Sequence, residues 1–313
     1  VPHASIAEQA CVKDLYGKDP TLESWFCKKE RTWAKIIKEI IQKETIPQDP
    51  KDYLELLNFI LLADARTKKM ADSQNELIDN LAKITIEMQR YHKVHNLTTE
   101  GMRITWDIPN YYPIITACEM VQILLDLQMI LIINNSNKSF ITTDNPVVKY
   151  NQMFVKRRYF RNAGYGHMGT QIFVPLSPRY CICVYDPIIY DVDVNKNKTI
   201  DIKSTSQITE INKLSLLNAD KVIFFNNNEK ESHIKSLVKN YKKKQDSTIG
   251  IFGDIDNRLM IQSFPTVQEN IRLNFFSINK EFENMPLPLH MEGPIRPYVQ
   301  DLLENDLDSI EKE

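Results

Sequence analysis

The spacing of apolar residues changes once along this chain, close to Asn134, and that change limits the folds the chain can adopt. Before this point apolar side chains recur at helical spacing, as they do from Trp33 to Ile41. After it, short runs of β-branched and aromatic residues are separated by prolines and asparagines, which is typical of short strands and turns. The sequence therefore predicts an α+β fold, in which a helical N-terminal half packs on a mixed or antiparallel sheet with further helices.

These two patterns also predict where the elements lie. Helices are expected from Pro20, from Pro50 and over residues 74–93, 114–133, 206–219 and 229–243. Strands are expected over residues 139–143, 147–150, 171–176, 180–185, 222–225 and 259–264. The chain then divides into a mostly helical region at 1–134, a mixed α+β region at 135–282 that either stands alone or joins the first as one domain, and a proline-rich, acidic tail at 283–313.

The stretch from Ile114 to Ile133 is the most hydrophobic part of the chain, and its 20 residues are long enough to span a bilayer. Glu119, Gln122 and Asp126 interrupt it, and an acidic side chain costs about 2.5–3.5 kcal/mol at the bilayer centre. Because these three residues fall on one face of a helix, we predict a core helix with one wet side and no contact with a membrane.

The composition of the chain excludes several classes of function. The chain has 39 basic and 41 acidic residues, so binding to nucleic acid would need a local basic patch. Only 8 glycines are present, and neither Gly-x-Gly-x-x-Gly nor Gly-x-x-x-x-Gly-Lys-Ser/Thr occurs, which excludes the usual phosphate-binding loops. The 5 cysteines include no Cys-x-x-Cys pair, and no charged-then-apolar leader opens the chain. These features favour free thiols in a reducing compartment, and we expect a cytoplasmic protein.

The most distinctive string is Phe140-Ile141-Thr142-Thr143-Asp144-Asn145-Pro146, in which a buried strand ends abruptly. An aspartate at a strand end can bind a metal or act as a base, so Asp144 is a candidate catalytic residue and metal ligand, with Asn145 as its polar partner. The alternative is purely structural, because Asp and Asn are turn formers and Pro146 forces Asn145 to be extended.

Two further residues are candidates for the same site. Arg66 follows the most apolar helix and could hold a phosphate near Asp144; alternatively it forms a structural salt bridge between the helices and the sheet. His167 lies in Gly164-Tyr165-Gly166-His167-Met168-Gly169, which contains three of the glycines and could act as a lid or carry a general base.

A basic run precedes this glycine-rich loop. It combines cations with aromatic rings, as surfaces that bind phosphates and stack bases do, and the predicted nucleic-acid contacts are Lys156, Arg157, Arg158, Tyr159 and Arg161. The alternative is an exposed, charged hairpin. A second sharp strand end, Val174-Pro175-Leu176-Ser177-Pro178, lacks the glycines of a nucleophile elbow, so a structural turn is favoured over a nucleophilic Ser177.

Taken in order, the strings Asp64-Ala65-Arg66-Thr67, Phe140 to Val147 and Phe173 to Pro178 resemble a bacterial family catalogued as domain of unknown function 4238. The segment Tyr16 to Glu23 is similar to the family's entry into its helices. The family's usual His-Tyr-Val-Pro opening is missing, so if that histidine joins Asp144, this chain carries only part of the site. The resemblance implies a fold and the motif positions, and it does not establish a chemistry.

Two functions from different classes follow. The first is a metal-dependent nuclease or toxin-like effector, in the setting of bacterial phage defence. Asp144, Asn145, Arg66 and His167 would serve Mg²⁺- or Mn²⁺-assisted cleavage, and the basic run would hold nucleic acid. Such chemistry needs several carboxylates, and Glu30 and Glu119 are the candidate helpers. The second is a non-enzymatic module that binds a protein or small ligand between the helices and the sheet, with the C-terminal segment contacting a protein partner.

Overall fold

The computed structural model describes residues 20–91, 99–154, 164–226, 231–241, 248–255, 258–264, 271–283, 285 and 294–310. In chain order the helices are α1 Pro20–Lys43, α2 Pro50–Ala65, α3 Lys68–Tyr91, α4 Tyr111–Glu119, α5 Thr205–Asn218, α6 Glu231–Asn240, α7 Lys280–Glu283 and α8 Pro297–Ile310. The strands are β1 Gln128–Asn134, β2 Thr142–Thr143, β3 Val148–Tyr150, β4 Gln171–Pro175, β5 Tyr180–Tyr185, β6 Tyr190–Asp191, β7 Thr199–Ile202, β8 Ile223–Phe224, β9 Thr248–Ile255, β10 Arg258–Phe264 and β11 Ser277–Ile278. The α+β prediction is confirmed.

A five-stranded sheet in the order β3-β4-β5-β1-β7 forms the centre of the fold. Strand β1 pairs antiparallel with β5 and parallel with β7, so the sheet is mixed. Strands β2 and β8 form a separate antiparallel ribbon in which Thr142 lies opposite Phe224. The Asp-Asn-Pro string connects this ribbon to β3 of the main sheet.

Helices and loops cover both faces of the central sheet. On one face, alternate residues of β1 such as Leu131 join a core cluster with α1, α2 and α4. On the other, the intervening residues such as Ile132 join a second cluster with α5 and with Phe276. Because a strand buried on both faces is apolar at every position, β1 reads as a continuous hydrophobic run.

The predicted single helix over residues 114–133 is wrong. Helix α4 ends at Glu119, a 3₁₀ turn spans Met120–Leu124, and the central strand β1 begins at Gln128. Asp126 lies in the turn between them and forms an ion pair with Arg296. The polar residues thus mark a helix-to-strand connection, not one face of a helix. Within the described chain, no helix combines the length and apolar character that crossing a membrane requires.

The C-terminal segment contains more regular structure than its prolines suggest. Pro297 opens helix α8, because proline is well tolerated in the first turn of a helix. The preceding residue, Arg296, is completely buried. The predicted tail therefore contributes a side chain to the interior.

Candidate functional site

Asp144 lies directly after β2 and binds the turn that leads into β8. Its Oδ1 accepts a hydrogen bond from the backbone N–H of Asp220 at 3.0 Å. Its Oδ2 accepts from the N–H groups of Lys221 at 2.7 Å and Val222 at 3.0 Å. Charge-assisted hydrogen bonds of this kind are the strong ones in proteins, so the carboxylate holds this turn against the ribbon.

Asn145 is buried and fixes the C-terminal end of α5. Its Nδ2 donates to the carbonyl of Asn218 at 3.1 Å, and Asn218 Nδ2 donates back to the carbonyl of Asn145 at 2.8 Å. The Lys69 ammonium donates to the same Asn218 carbonyl at 3.0 Å. The Asp-Asn-Pro string is thereby connected to the first turn of α3, which follows Arg66.

Arg66 lies at the end of α2 and pairs with Glu30 on α1. Its guanidinium also lies 5.5 Å from the centre of the Phe26 ring. Both contacts are with α1, so the salt bridge joins two helices and not, as its structural alternative proposed, the helices and the sheet. Glu30, a predicted carboxylate helper, is engaged by this arginine.

His167 lies in a tightly packed turn. Its Nδ1 accepts from the backbone N–H of Gly164 at 2.8 Å, and a Cβ at Gly164 would collide with the imidazole ring. Gly169 has a φ of +71°, which favours glycine. Close packing and backbone conformation therefore account for these two glycines.

The C-terminal segment secures this turn. The Arg296 side chain donates to Asp126 Oδ2 at 2.7 Å, to the Tyr165 carbonyl at 2.7 Å, to the His167 carbonyl at 3.2 Å and to the Ile123 carbonyl. The Arg296 N–H also donates to the Gly166 carbonyl. One buried arginine thus connects the glycine-rich turn to the connection that precedes β1.

A polar cluster that sequence reasoning missed lies where the helices meet the sheet. Asp64 Oδ2, in a side chain only 7% exposed, accepts from Lys149 Nζ at 2.6 Å and from the Tyr165 hydroxyl at 2.7 Å. The Lys149 ammonium also lies 4.6 Å from the centre of the Tyr165 ring. Burial raises the pKa of Tyr165 well above its ordinary value, and the neighbouring Asp64 charge raises it further. The Tyr165 hydroxyl therefore stays protonated and donates a hydrogen bond to Asp64.

Two of these residues, Asp64 and Lys149, could have been suspected from their neighbours. Asp64 opens the Asp-Ala-Arg-Thr string, and Lys149 follows the Asp-Asn-Pro string by three residues. The alternation of side chains along β3 does not show which residue of the helices Lys149 contacts. Only the packing of α2 on the sheet brings Asp64 and Lys149 together.

The two strand-end strings meet in one groove, which we name the motif groove. It has a volume of about 390 Å³ and is lined by Phe140, Ile141, Thr142, Pro175, Leu176, Ser177, Pro178, Phe224, Phe225 and Asn226. A hydrogen bond from the Phe140 N–H to the Pro178 carbonyl, 2.9 Å long, ties the strings together. Most of the lining is apolar, and the Thr142 and Ser177 hydroxyls add polar groups. Ser177 Oγ accepts from the Tyr180 N–H at 3.1 Å, as expected of a structural turn.

The four residues predicted as catalytic do not share one set of partners. The Asp144 and Asn145 side chains both bind the 218–222 segment, whereas the Arg66 guanidinium pairs with Glu30 and His167 Nδ1 accepts from the Gly164 N–H. Across the described ranges, no group of three or more His, Cys, Asp or Glu side chains is placed to hold a metal ion. The predicted nucleic-acid contacts Lys156, Arg157, Arg158, Tyr159 and Arg161 lie outside the described residues.

The protein is of the α+β class. Its mixed central sheet is covered on both faces, and a separate two-stranded ribbon contributes one side of the motif groove. The chain belongs to the family described as a protein of unknown function (DUF4238), whose family model matches residues 1–229. No curated protein and no solved structure matches the chain.

Proposed function

We propose that the protein is a non-enzymatic binding module whose ligand occupies the motif groove. The observation that carries this proposal is that parts of the two strand-end strings, residues 140–142 and 175–178, line one largely apolar cleft. Ligand sites are typically concave and apolar, with a few polar groups that fix orientation. The Thr142 and Ser177 hydroxyls supply such groups.

The contacts of the Asp-Asn-Pro string support a structural role for it. Asp144 accepts three backbone hydrogen bonds, and Asn145 exchanges hydrogen bonds with Asn218. Together these contacts hold β8 against β2, which sets one wall of the groove. On this interpretation the string shapes a binding site and takes no part in bond cleavage.

The competing prediction is a phosphodiester hydrolase in phage defence that uses Mg²⁺ or Mn²⁺ at Asp144, with Asn145, Arg66 and His167 assisting. Metal-assisted phosphodiester cleavage uses a metal ion as Lewis acid and as a source of nucleophilic hydroxide. In that case the Asp144 carboxylate would bind the ion while it also accepts hydrogen bonds from three backbone N–H groups.

One pair of measurements separates the two functions. Methyl NMR spectra of the protein, recorded with a set of small apolar fragments, should show shifts at the methyl groups of Leu176 and Thr142, which both line the groove. The purified protein, incubated with Mg²⁺ or Mn²⁺ and labelled RNA and DNA, should cleave neither. Cleavage by the wild type that is lost in a folded Asp144→Asn variant would overturn the proposal in favour of the hydrolase. Unshifted groove methyls would also count against it.

A further inference from the structure

The chemistry of the motif groove indicates what kind of ligand it takes; this step rests on the proposed function. We infer that the groove binds an extended peptide segment, which pairs with the open edge of β8 and carries acidic residues beside an apolar side chain. Three observations support this choice of ligand: the face of the ribbon that the groove uses, the hydrogen-bonding groups along it, and the charges around it.

The first observation is that the β2–β8 ribbon has two different faces. Ile141 and Ile223 pack on one face, in a cluster with α5 and α6. Side chains alternate along a strand, so Thr142 and its cross-strand partner Phe224 point to the opposite face. Thr142 and Phe224 of that opposite face line the groove. A strand added to the ribbon would turn every second side chain toward this face.

The second observation is the open edge of β8. The Asp144 N–H donates to the Val222 carbonyl, and Thr142 pairs with Phe224. In an antiparallel ladder, the backbone groups of Ile223 and Phe225 then point away from β2. Within the part of the chain that the structure describes, no strand pairs with that edge.

These backbone groups favour a peptide over a hydrocarbon ligand. A peptide in an extended conformation can satisfy the N–H and C=O groups of a strand edge while its alternate side chains fill a pocket. A purely apolar chain would cover those groups, and the Thr142 and Ser177 hydroxyls, without replacing their bonds to water, which costs free energy.

The third observation is the charge around the groove. A cation adjoins each lining segment: Lys138 lies two residues before Phe140, Arg179 follows Pro178, and the exposed Lys221 precedes β8. Two of the nearby carboxylates are engaged: Glu44 pairs with Arg179 at 3.2 Å and accepts from the Tyr180 hydroxyl, and Asp144 accepts from three backbone N–H groups. Because Arg179 already has this carboxylate partner, the exposed Lys221 is the cation expected to attract an acidic ligand. An acidic flank on the peptide complements Lys221.

The test uses a fluorescein-labelled peptide with a Val-Phe-Val core flanked by glutamates, and fluorescence anisotropy with the full chain. Two comparison peptides isolate its features: one has lysine flanks, and the other carries N-methyl groups on alternate amides, which abolish strand pairing. The glutamate peptide should bind about tenfold more tightly than either, a difference of about 1.4 kcal/mol. Equal binding of the N-methylated peptide, or of the lysine peptide, would overturn the inference.

Two variants with matched controls locate the binding site. Lys221→Glu should weaken binding of the glutamate peptide about tenfold. Lys51→Glu should leave it unchanged, although Lys51 is also exposed and also donates its backbone N–H to an aspartate. Thr142→Tyr, which fills the groove with a residue that strands accept, should abolish binding, whereas Ile188→Tyr at a surface position should not. Unchanged binding in both groove variants would contradict the inference.

The outcome separates the two levels of proposal. If apolar fragments shift the Leu176 and Thr142 methyl signals and the peptide does not bind, the groove is a binding site for another ligand and the peptide inference is wrong. If neither the fragments nor the peptide bind, the proposed function fails with it.

Discussion

Asp144 is the residue whose role the structure changes most. Strand ends present functional side chains, yet this carboxylate binds three backbone N–H groups of the 220–222 turn. A hydrogen bond to a charged group contributes about 1.5–3 kcal/mol, and a buried donor left without its partner is costly. The turn that Asp144 holds sets the position of β8 and therefore the shape of the motif groove.

We therefore expect Asp144→Ala to lower the free energy of unfolding by about 2–4 kcal/mol, because three backbone donors lose their acceptor. Asp144→Asn should cost less, since its amide oxygen still accepts. Urea denaturation measures both changes. The control is Asp193→Ala at an exposed position, which should stay within about 0.5 kcal/mol of the wild type. An Asp144→Ala variant as stable as this control would show that the turn does not depend on the carboxylate.

The sequence could locate these residues but not their partners. The Asp-Asn-Pro string stands at a strand end, as predicted, and the structural alternative identified its turn-forming residues. Its partners, the 218–222 segment, lie more than 70 positions further along the chain. The sequence places Tyr165 in a glycine-rich loop and gives no sign that its hydroxyl binds Asp64. Contacts between distant segments depend on packing, which periodicity does not encode.

At the scale of elements, the predictions succeeded where turn-forming residues mark the ends of the element, as Pro178 and Pro187 do around β5. Strand β5 has the predicted bounds, and α5 differs from its prediction by one residue at each end. They failed at residues 114–133. There a short helix and a buried central strand follow each other within one apolar run, and a continuous apolar run cannot be assigned to either type by its period. Polar residues between two such elements are the remaining signal, and Asp126 is the one that the structure explains.

Arg296 attaches the C-terminal segment to Asp126 and to the glycine-rich turn. Replacing Arg296 with Met should lower the free energy of unfolding by about 3–5 kcal/mol, because it leaves Asp126 buried without its ion partner. Amide hydrogen exchange should also speed up at 164–169, where the Arg296 side chain and backbone bind three carbonyls.

The pairing of Arg296 with Asp126 can be separated from the packing of its side chain. The double variant Arg296→Met with Asp126→Asn removes both charges, so it should recover part of the lost stability. If the single and double variants are equally destabilised, the carbonyl contacts of Arg296 matter and the ion pair does not.

At the scale of the whole molecule, the helices and the sheet share one hydrophobic cluster. Residues of α1, α2 and α4 pack directly against one face of the central strands. The Asp64–Lys149 pair bridges the same boundary and is partly shielded from water, with side chains 7% and 29% exposed. The helical region and the sheet are therefore expected to unfold together.

Two intrinsic probes follow the two parts of the molecule. All three tryptophans, at positions 25, 33 and 106, lie in the helical region, whereas the thiols of Cys181 and Cys183 are buried in β5. Tryptophan fluorescence and the slow phase of thiol labelling should give the same urea midpoint in the wild type. Separate midpoints would mean that the helices and the sheet unfold independently.

The polar bridge should strengthen this coupling. In a double-mutant cycle of Asp64→Asn and Lys149→Met, we expect a coupling energy of about 1–3 kcal/mol, because the two side chains are in direct contact and share Tyr165 as a neighbour. The exposed pair Lys43–Glu39 on α1 is the matched comparison and should give less than about 0.5 kcal/mol. Equal coupling energies in the two cycles would mean that burial adds nothing to the bridge. In that case the shared apolar cluster alone would hold the helices on the sheet.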